Sequence, residues 1–282
     1  YIYYLMDKYL VIKKNRKNKI ITLTYCDGAE NHNGMQLIGK KSIKGFNIND
    51  ILNAKNKFES KKYECELIKL NDYYNKNDFP NQNIEDAYLL IIRKGVISLL
   101  DDDKEVDNTK IIDKLYDELT SFKWDDKYFD IRKQKVLNKL ARKNVCFSDK
   151  KQEPDYENKK GTIVPFSSVN LTNKIRENLK YYLGETAENL QCEGNYYFDK
   201  KKCGIGFHGD AERKKVIGAR IGEMNLKFNW FYKSKPIGKP IDIELNDGDL
   251  YIMSEKTTGN DWKKRNIVTL RHSAGCNKYT KL

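Results

Sequence analysis

The sequence predicts an α+β protein whose C-terminal half is an antiparallel β structure. Three observations carry this. Seven short β-rich runs follow one another closely, at 194–198, 203–210, 216–221, 226–232, 241–245, 249–253 and 266–272. Many short strands at such spacing make a sandwich or barrel. Three stretches have helical spacing instead: 47–58, 109–122 with Ile111, Ile112, Leu115 and Leu119, and 170–183, which runs into Gly184. Finally, the acidic, apolar-poor segment 101–105 interrupts the pattern. It predicts a boundary between an N-terminal α+β module, 1–107, and a C-terminal domain, 108–282.

Taken in order, Leu10-Val11-Ile12 and the run from Ile20 to Tyr25 flank a Lys/Asn-rich turn and predict a hairpin. Residues 26–36 are dense in Gly, Asn and charge. They read either as a binding loop around His32 or, preferably, as a capped helix start with a solvated His32. Residues 63–70 alternate as a strand does, and 87–96 read as a buried strand ending in a glycine turn. Basic and apolar residues interleave over 134–147, which suits a phosphate track or the wet face of an element. Residues 161–166 read as a strand.

Composition narrows the class. No run approaches the roughly 18 apolar residues of a membrane span, and the N-terminus lacks the basic start and small-residue cleavage site of a signal peptide. Six cysteines without CxxC pairing argue against a zinc framework or a disulfide scaffold, and for reduced thiols in the cytoplasm or nucleus. A net charge of +13 favours a polyanion partner, nucleic acid first. The same chain is crowded with Lys, Asn, Ile and Tyr, so A/T-rich codons are a rival source of that charge.

The residues that point to chemistry are His208 and Asp210, in Ile205-Gly206-Phe207-His208-Gly209-Asp210, and the one later histidine, His272. Two histidines and a carboxylate on one face of an octahedron bind Fe(II) and leave positions open for co-substrate and oxygen. In an extended stretch, residues i and i+2 point the same way, so His208 and Asp210 can share a metal. A His-x-Asp pair also occurs by chance in many chains.

The surrounding segments resemble the AlkB-like Fe(II)/2-oxoglutarate-dependent oxygenases, whose fold is a double-stranded β-helix, or jelly roll. Asn195-Tyr196-Tyr197 is similar to the family's Asn-x-Tyr that binds 2-oxoglutarate, and the stretch from Ile205 to Glu212 to its segment with the first two iron ligands. The stretch from Leu245 to Met253 resembles the Gly-Asp strand before the third ligand, and Arg265 with Arg271 the closing Arg-x5-Arg. The family's third histidine would fall near Lys263, where none stands. Two alignments therefore compete. In one, Arg271 closes on the 2-oxoglutarate carboxylate and the third ligand is lost or moved. In the other, favoured here, His272 is the ligand and a later cation such as Lys278 holds the carboxylate. Arg271 and His272 are adjacent, so a regular strand cannot aim both into one pocket. The chain also resembles an uncharacterised AlkB-like set of large DNA viruses and fungi, with an Ala-Glu-Asn-His-x-Gly-Met-Gln loop as at 29–36.

The resemblance implies a jelly-roll oxygenase core with flanking helices, Fe(II) as metal and 2-oxoglutarate and O2 as co-substrates. His208, Asp210 and His272 would be the metal and catalytic set. Asn195, Tyr197 and one of Arg271, Arg265 or Lys278 would bind 2-oxoglutarate. The expected substrate is a DNA or RNA base, hydroxylated or, as in DNA repair, stripped of an N-methyl group. Asn138, Arg142 and Asn144 stand where the family places a lid, and Trp230, Tyr232 and Trp262 are candidates for stacking, each also a candidate for plain core. A protein or peptide hydroxylase and a degenerate nucleic-acid-binding scaffold are the alternatives, since fold does not fix substrate.

Overall fold

Two antiparallel sheets face each other, and helices cover the outside of the larger one. The computed structural model describes residues 16, 18–79, 82–101 and 108–282. In spatial order the large sheet runs β4 (Cys65–Lys69), β5 (Tyr88–Ile92), β15 (Leu250–Met253), β12 (Val216–Ile221), β1 (Ile20–Cys26), β10 (Gln191–Tyr197), β8 (Lys143–Ser148) and β9 (Ile163–Pro165). Only β8 and β9 pair in parallel. The small sheet runs β11 (Gly204–His208), β16 (Thr269–Gly275), β13 (Leu226–Tyr232) and β14 (Lys235–Ile243). Two ribbons, β2 (Gly28–Glu30) with β3 (Leu37–Gly39) and β6 (Lys127–Asp130) with β7 (Lys135–Asn138), lie apart. From β10 onward the chain crosses between the sheets: β10 large, β11 small, β12 large, β13 and β14 small, β15 large, β16 small.

Strand alternation divides the large sheet into two unlike faces. Ile21, Leu23 and Tyr25 of β1, Ile217 and Ala219 of β12, and Leu250 and Ile252 of β15 point outward into one core. That core is completed by α1 (Ile48–Ser60), α2 (Gly95–Leu100), α3 (Asn108–Thr120) and α4 (Asn170–Leu183). Ile20, Leu89, Ile91, Tyr197, Val216, Tyr251 and Met253 point the other way, against Phe228, Trp230, Ile241 and Leu270 of the small sheet. Slipping β1 by one residue would turn Ile21, Leu23 and Tyr25 out of the helix-covered core towards Glu193, Asn195 and Arg220, and forfeit about 1.5–3 kcal/mol for each apolar side chain displaced.

Local chemistry sets the helix ends. Asn47 caps α1: its Oδ1 accepts from the amides of Asn49 and Asp50, and the Asp50 carboxylate accepts from the Asn47 amide. Ile51, Ala54 and Phe58 then fall on the buried face, and Phe58 stacks on Tyr182 with centroids 3.7 Å apart. The sequence places α4, β12 and β13 where they are found. Gly95 does not end a turn as expected; it starts α2, and a Cβ there would lie 2.7 Å from the Leu250 side chain.

The expected boundary at 107/108 falls inside shared structure. β1, β4 and β5 precede it, yet they are hydrogen-bonded to β10, β12 and β15, which follow it. The expected hairpin arm at 10–12 and the segment 102–107 lie outside the described residues. The arm at Ile20–Cys26 has β10 and β12 as its neighbours. No helix among the described residues is long and apolar enough to cross a membrane.

Candidate metal centre

β11 and β16 pair so that His208 and His272 are Cα partners, with an irregularity in register between Ile205 and His208. Asp210 lies two residues past His208, where the chain turns; a Cβ on the intervening Gly209 would lie 2.1 Å from the Gly259 carbonyl oxygen. The Asp210 amide donates to the Thr258 carbonyl at 2.9 Å. The result is a triad whose ligand atoms all lie within 4.8 Å of one another. Asp210 Oδ1 is 3.8 Å from Nε2 of each histidine.

Both imidazoles are arranged to offer a lone pair. His208 Nδ1 lies 2.8 Å from the Gly206 carbonyl, which can only accept, so Nδ1 carries the proton and Nε2 is free. His272 is 8% exposed, and burial, then His208 and Arg213, hold its pKa well below the ordinary value. It is neutral at neutral pH, the form that binds metals. Its Nδ1 is buried without a hydrogen-bond partner.

The triad opens on a cavity of about 420 Å³ walled by the inner face of the large sheet, where Thr22, Thr24, Glu193, Asn195 and Arg220 interrupt the apolar packing. Cross-strand register sets that wall in rows. Asn195, Thr22 and Arg220 form one; Glu193, Thr24, Gly218 and Tyr251 form the next. A Cβ at Gly218 would lie 1.9 Å from Tyr251 Cζ, so only glycine lets that ring lie across β12. Arg213 is 4% exposed and is held by Glu193, Glu212 and the Cys26 sulfur. Burial pushes the Glu193 carboxyl up, but Arg213 and Arg142 outweigh it and hold the pKa below the usual value. Arg220 is 1% exposed, and its Nε and Nη1 are buried without a partner, as is Thr22 Oγ1.

Glu30, His32, Asn33, Arg142, Trp262 and Lys263 also line the cavity. The segment around His32 is a turn between β2 and β3, with no helix start, and the half-buried His32 ring stacks on Tyr128 at 3.7 Å. Burial, then Lys139 and Arg142, lower its pKa to about 4. Burial raises the Glu30 carboxyl to about 7, against the Gly34 amide that hydrogen-bonds it. The expectation of a solvated His32 at a helix start is not met: β2 carries the loop to the cavity, where His32 is half-buried.

The other sequence candidates divide. Asn195 and Tyr197 line the cavity, as do Arg142 and Trp262. Asn195 Oδ1 accepts from Arg142 Nε and Asn144 Nδ2, both at 2.6 Å, so Asn144 supports the wall from behind. Asn138 is exposed at the end of β7 and does not line it. Trp230 is fully buried between the sheets and donates to the Leu70 carbonyl at 2.8 Å; Tyr232 packs edge-on against Phe79. Both are core. None of the three expected carboxylate cations reaches the cavity. Arg271 points to the opposite face from His272, over Phe231 at 4.3 Å and Trp262 at 5.3 Å. Arg265 is exposed in the preceding loop, and Lys278 is exposed on α5 (Asn277–Thr280). Arg220, which sequence reasoning did not single out as a site residue, is the buried cation on the cavity wall with unpartnered nitrogens. Its signal was the single charge in the apolar run Val216-Ile217-Gly218-Ala219-Arg220-Ile221.

No protein-family model matches the chain. It is 42% identical over 267 residues to "Uncharacterized protein R156" of Acanthamoeba polyphaga mimivirus, a match covering 93% of this chain and 97% of that protein. Nearly the full length of both sequences is shared, on both sides of the 107/108 position, and the chain belongs to the family of that mimivirus protein.

Proposed function

We propose that the chain is an Fe(II)/2-oxoglutarate-dependent dioxygenase of the AlkB-like kind that hydroxylates or oxidatively demethylates a nucleic-acid base. The observation that carries this reading is the convergence of His208, Asp210 and His272 at the edge of a cavity. The donor set fits Fe(II): two imidazoles and one carboxylate, with space beside them. The crossing of successive strands between two facing sheets suits a double-stranded β-helix.

When bound, Fe(II) with 2-oxoglutarate and O2 supplies C–H hydroxylation, giving succinate, CO2 and the hydroxylated product. The chain's own residues do the rest. Gly206 fixes the His208 tautomer, and the turn at Gly209 sets Asp210 between the two rings. Asn195 and Tyr197 wall the co-substrate side, with Asn195 held by Arg142 and Asn144. Trp262 gives an aromatic surface at the cavity, and Lys263 and Arg142 give charge for the backbone of a strand whose base has left its stack. A base hydroxylated on an N-methyl carbon sheds formaldehyde.

The test is anaerobic loading with Fe(II), followed by oxygen, 2-oxoglutarate and single-stranded oligonucleotides bearing N-methylated bases. Succinate and formaldehyde should rise together. Turnover stimulated by peptides and not by oligonucleotides would move the reading to a protein hydroxylase. Metal-loaded protein that makes no succinate would end it.

A further inference from the structure

We propose that Arg220, with Thr22 beside it, is the anion site of the cavity, and that it takes the distal carboxylate of a 2-oxo dicarboxylate. The identity of the ligand rests on the metal reading above; the anion site rests on its own observations. Arg220 is 1% exposed, and it lines the cavity. Its Nε and Nη1 meet no acceptor, and neither does Thr22 Oγ1, its direct cross-strand partner. Among the described residues no carboxylate pairs with it. Asp249, which acts on its charge through the fold, is engaged by Arg93 Nη1 and by the Lys94 and Asn246 amides. A buried cation left without a partner is among the costliest arrangements in a protein interior. An anion entering the cavity would remove that cost.

The other cations on the cavity differ from Arg220: Lys263 is exposed, with its ammonium over the Trp262 ring. Arg213 is saturated by Glu193 and Glu212, and Arg142 is turned to Asn195. Lys278, the later cation expected after His272, is exposed on α5 and does not line the cavity. The wall next to the metal is instead closed by β1, a strand from near the start of the chain, lodged between β10 and β12. β1 brings Thr22 beside Arg220, and Gly218 lets the Tyr251 ring settle next to it without filling its space. Tyr251 and Tyr197 both act on the Arg220 charge and both line the cavity, so two phenols are at hand to donate to the same carboxylate.

The experiment separates the anion site from the metal site. Mn(II) binding is measured by the loss of the free-ion paramagnetic signal, for wild type, Arg220→Met and Arg220→Lys. 2-Oxoglutarate and 2-oxobutyrate, which lacks the distal carboxylate, are then titrated calorimetrically into the Mn(II)-loaded proteins. Wild type should prefer 2-oxoglutarate by on the order of 100-fold, the size expected for a desolvated charge pair. Arg220→Met should bind both ligands equally weakly with Mn(II) affinity unchanged, and Arg220→Lys should keep part of the preference. Glutarate, titrated into the metal-free proteins, should raise the melting temperature of wild type and not of Arg220→Met. That variant should itself melt no lower than wild type without ligand, because it removes an unpaired buried charge. If Mn(II) fails to bind wild type, the metal reading falls and the glutarate arm alone decides the anion site. Two results overturn the proposal: a folded Arg220→Met with wild-type 2-oxoglutarate affinity, or a wild type that neither prefers 2-oxoglutarate nor responds to glutarate.

Discussion

His208 and His272 stand directly opposite each other on paired strands, their ring centroids 4.5 Å apart, with Asp210 Oδ1 equidistant from both at 3.8 Å. The three side chains could hold one metal ion, their ligand atoms all lying within 4.8 Å of one another. His208→Ala, His272→Ala and Asp210→Asn should each weaken Mn(II) binding. Loss of a residue that only supports a metal ligand costs about 10–100-fold, so loss of a ligand should exceed about 100-fold. Free Mn(II) measured by paramagnetic resonance checks this. An affinity within threefold of wild type would remove that residue from the set.

Glu30 and His32 make opposed contributions to stability over the same pH range. The folded His32 pKa is about 4, below its ordinary 6.5, so its contribution is complete above pH 6.5 and is lost as pH falls towards 4. The folded Glu30 pKa is about 7, above its ordinary 4.5, so its contribution is complete below pH 4.5 and is lost as pH rises through 7. Between pH 4.5 and 6.5 the two largely offset each other. His32→Gln should therefore lose less stability than wild type on going from pH 7 to pH 5, and Glu30→Gln should lose more. Urea unfolding at the two pH values gives the comparison. Parallel profiles for all three proteins would contradict it.

Much of the site could be read locally, and the part that could not depends on distant pairing. His208 and Asp210 share a side because they are two apart at the end of a strand, and His272 was the histidine left to complete them. The alternation that puts His272 in the cavity also turns Arg271 away, so spacing in the sequence already favoured one alignment over the other. The position of Arg220 on the cavity wall was not legible, because its neighbour Thr22 comes from β1, distant in sequence. A strand near the N-terminus suggests a hairpin with its neighbour, since consecutive elements usually pack together. Here it joins the middle of a sheet built mainly from later strands. The helix ends and strand faces needed only local caps and alternation, which is why α1, α4, β12 and β13 were legible.

Trp230 tests the division between core and site. Its indole is fully buried and donates to the Leu70 carbonyl, tying the small sheet to the segment after β4. Trp230→Phe keeps most of the apolar bulk but leaves that carbonyl without its donor, which should cost about 1–3 kcal/mol. Mn(II) and 2-oxoglutarate affinities should stay within twofold of wild type. Denaturant unfolding and the metal titration together check it. Unchanged stability with lost ligand binding would return Trp230 to the site.

Lys263 and Lys278 decide what the net charge of +13 is for. Both are exposed, and both extend over an aromatic ring, Trp262 and Tyr279 respectively. Only Lys263 lines the cavity. If a nucleic-acid strand presents a base to this cavity, its phosphates pass Lys263 and not Lys278. Each phosphate contact releases counterions, so affinity should fall steeply with salt, and Lys263→Ala should reduce the salt slope by about 1. Lys278→Ala should change neither affinity nor slope. Single strands should bind at least as well as duplexes, because their bases are already free. Fluorescence anisotropy with mixed-sequence oligonucleotides at two salt concentrations makes the comparison. Equal losses in the two variants would mean diffuse attraction to a lysine-rich surface. No binding at low salt would assign the lysines to codon composition and put the protein-hydroxylase reading first.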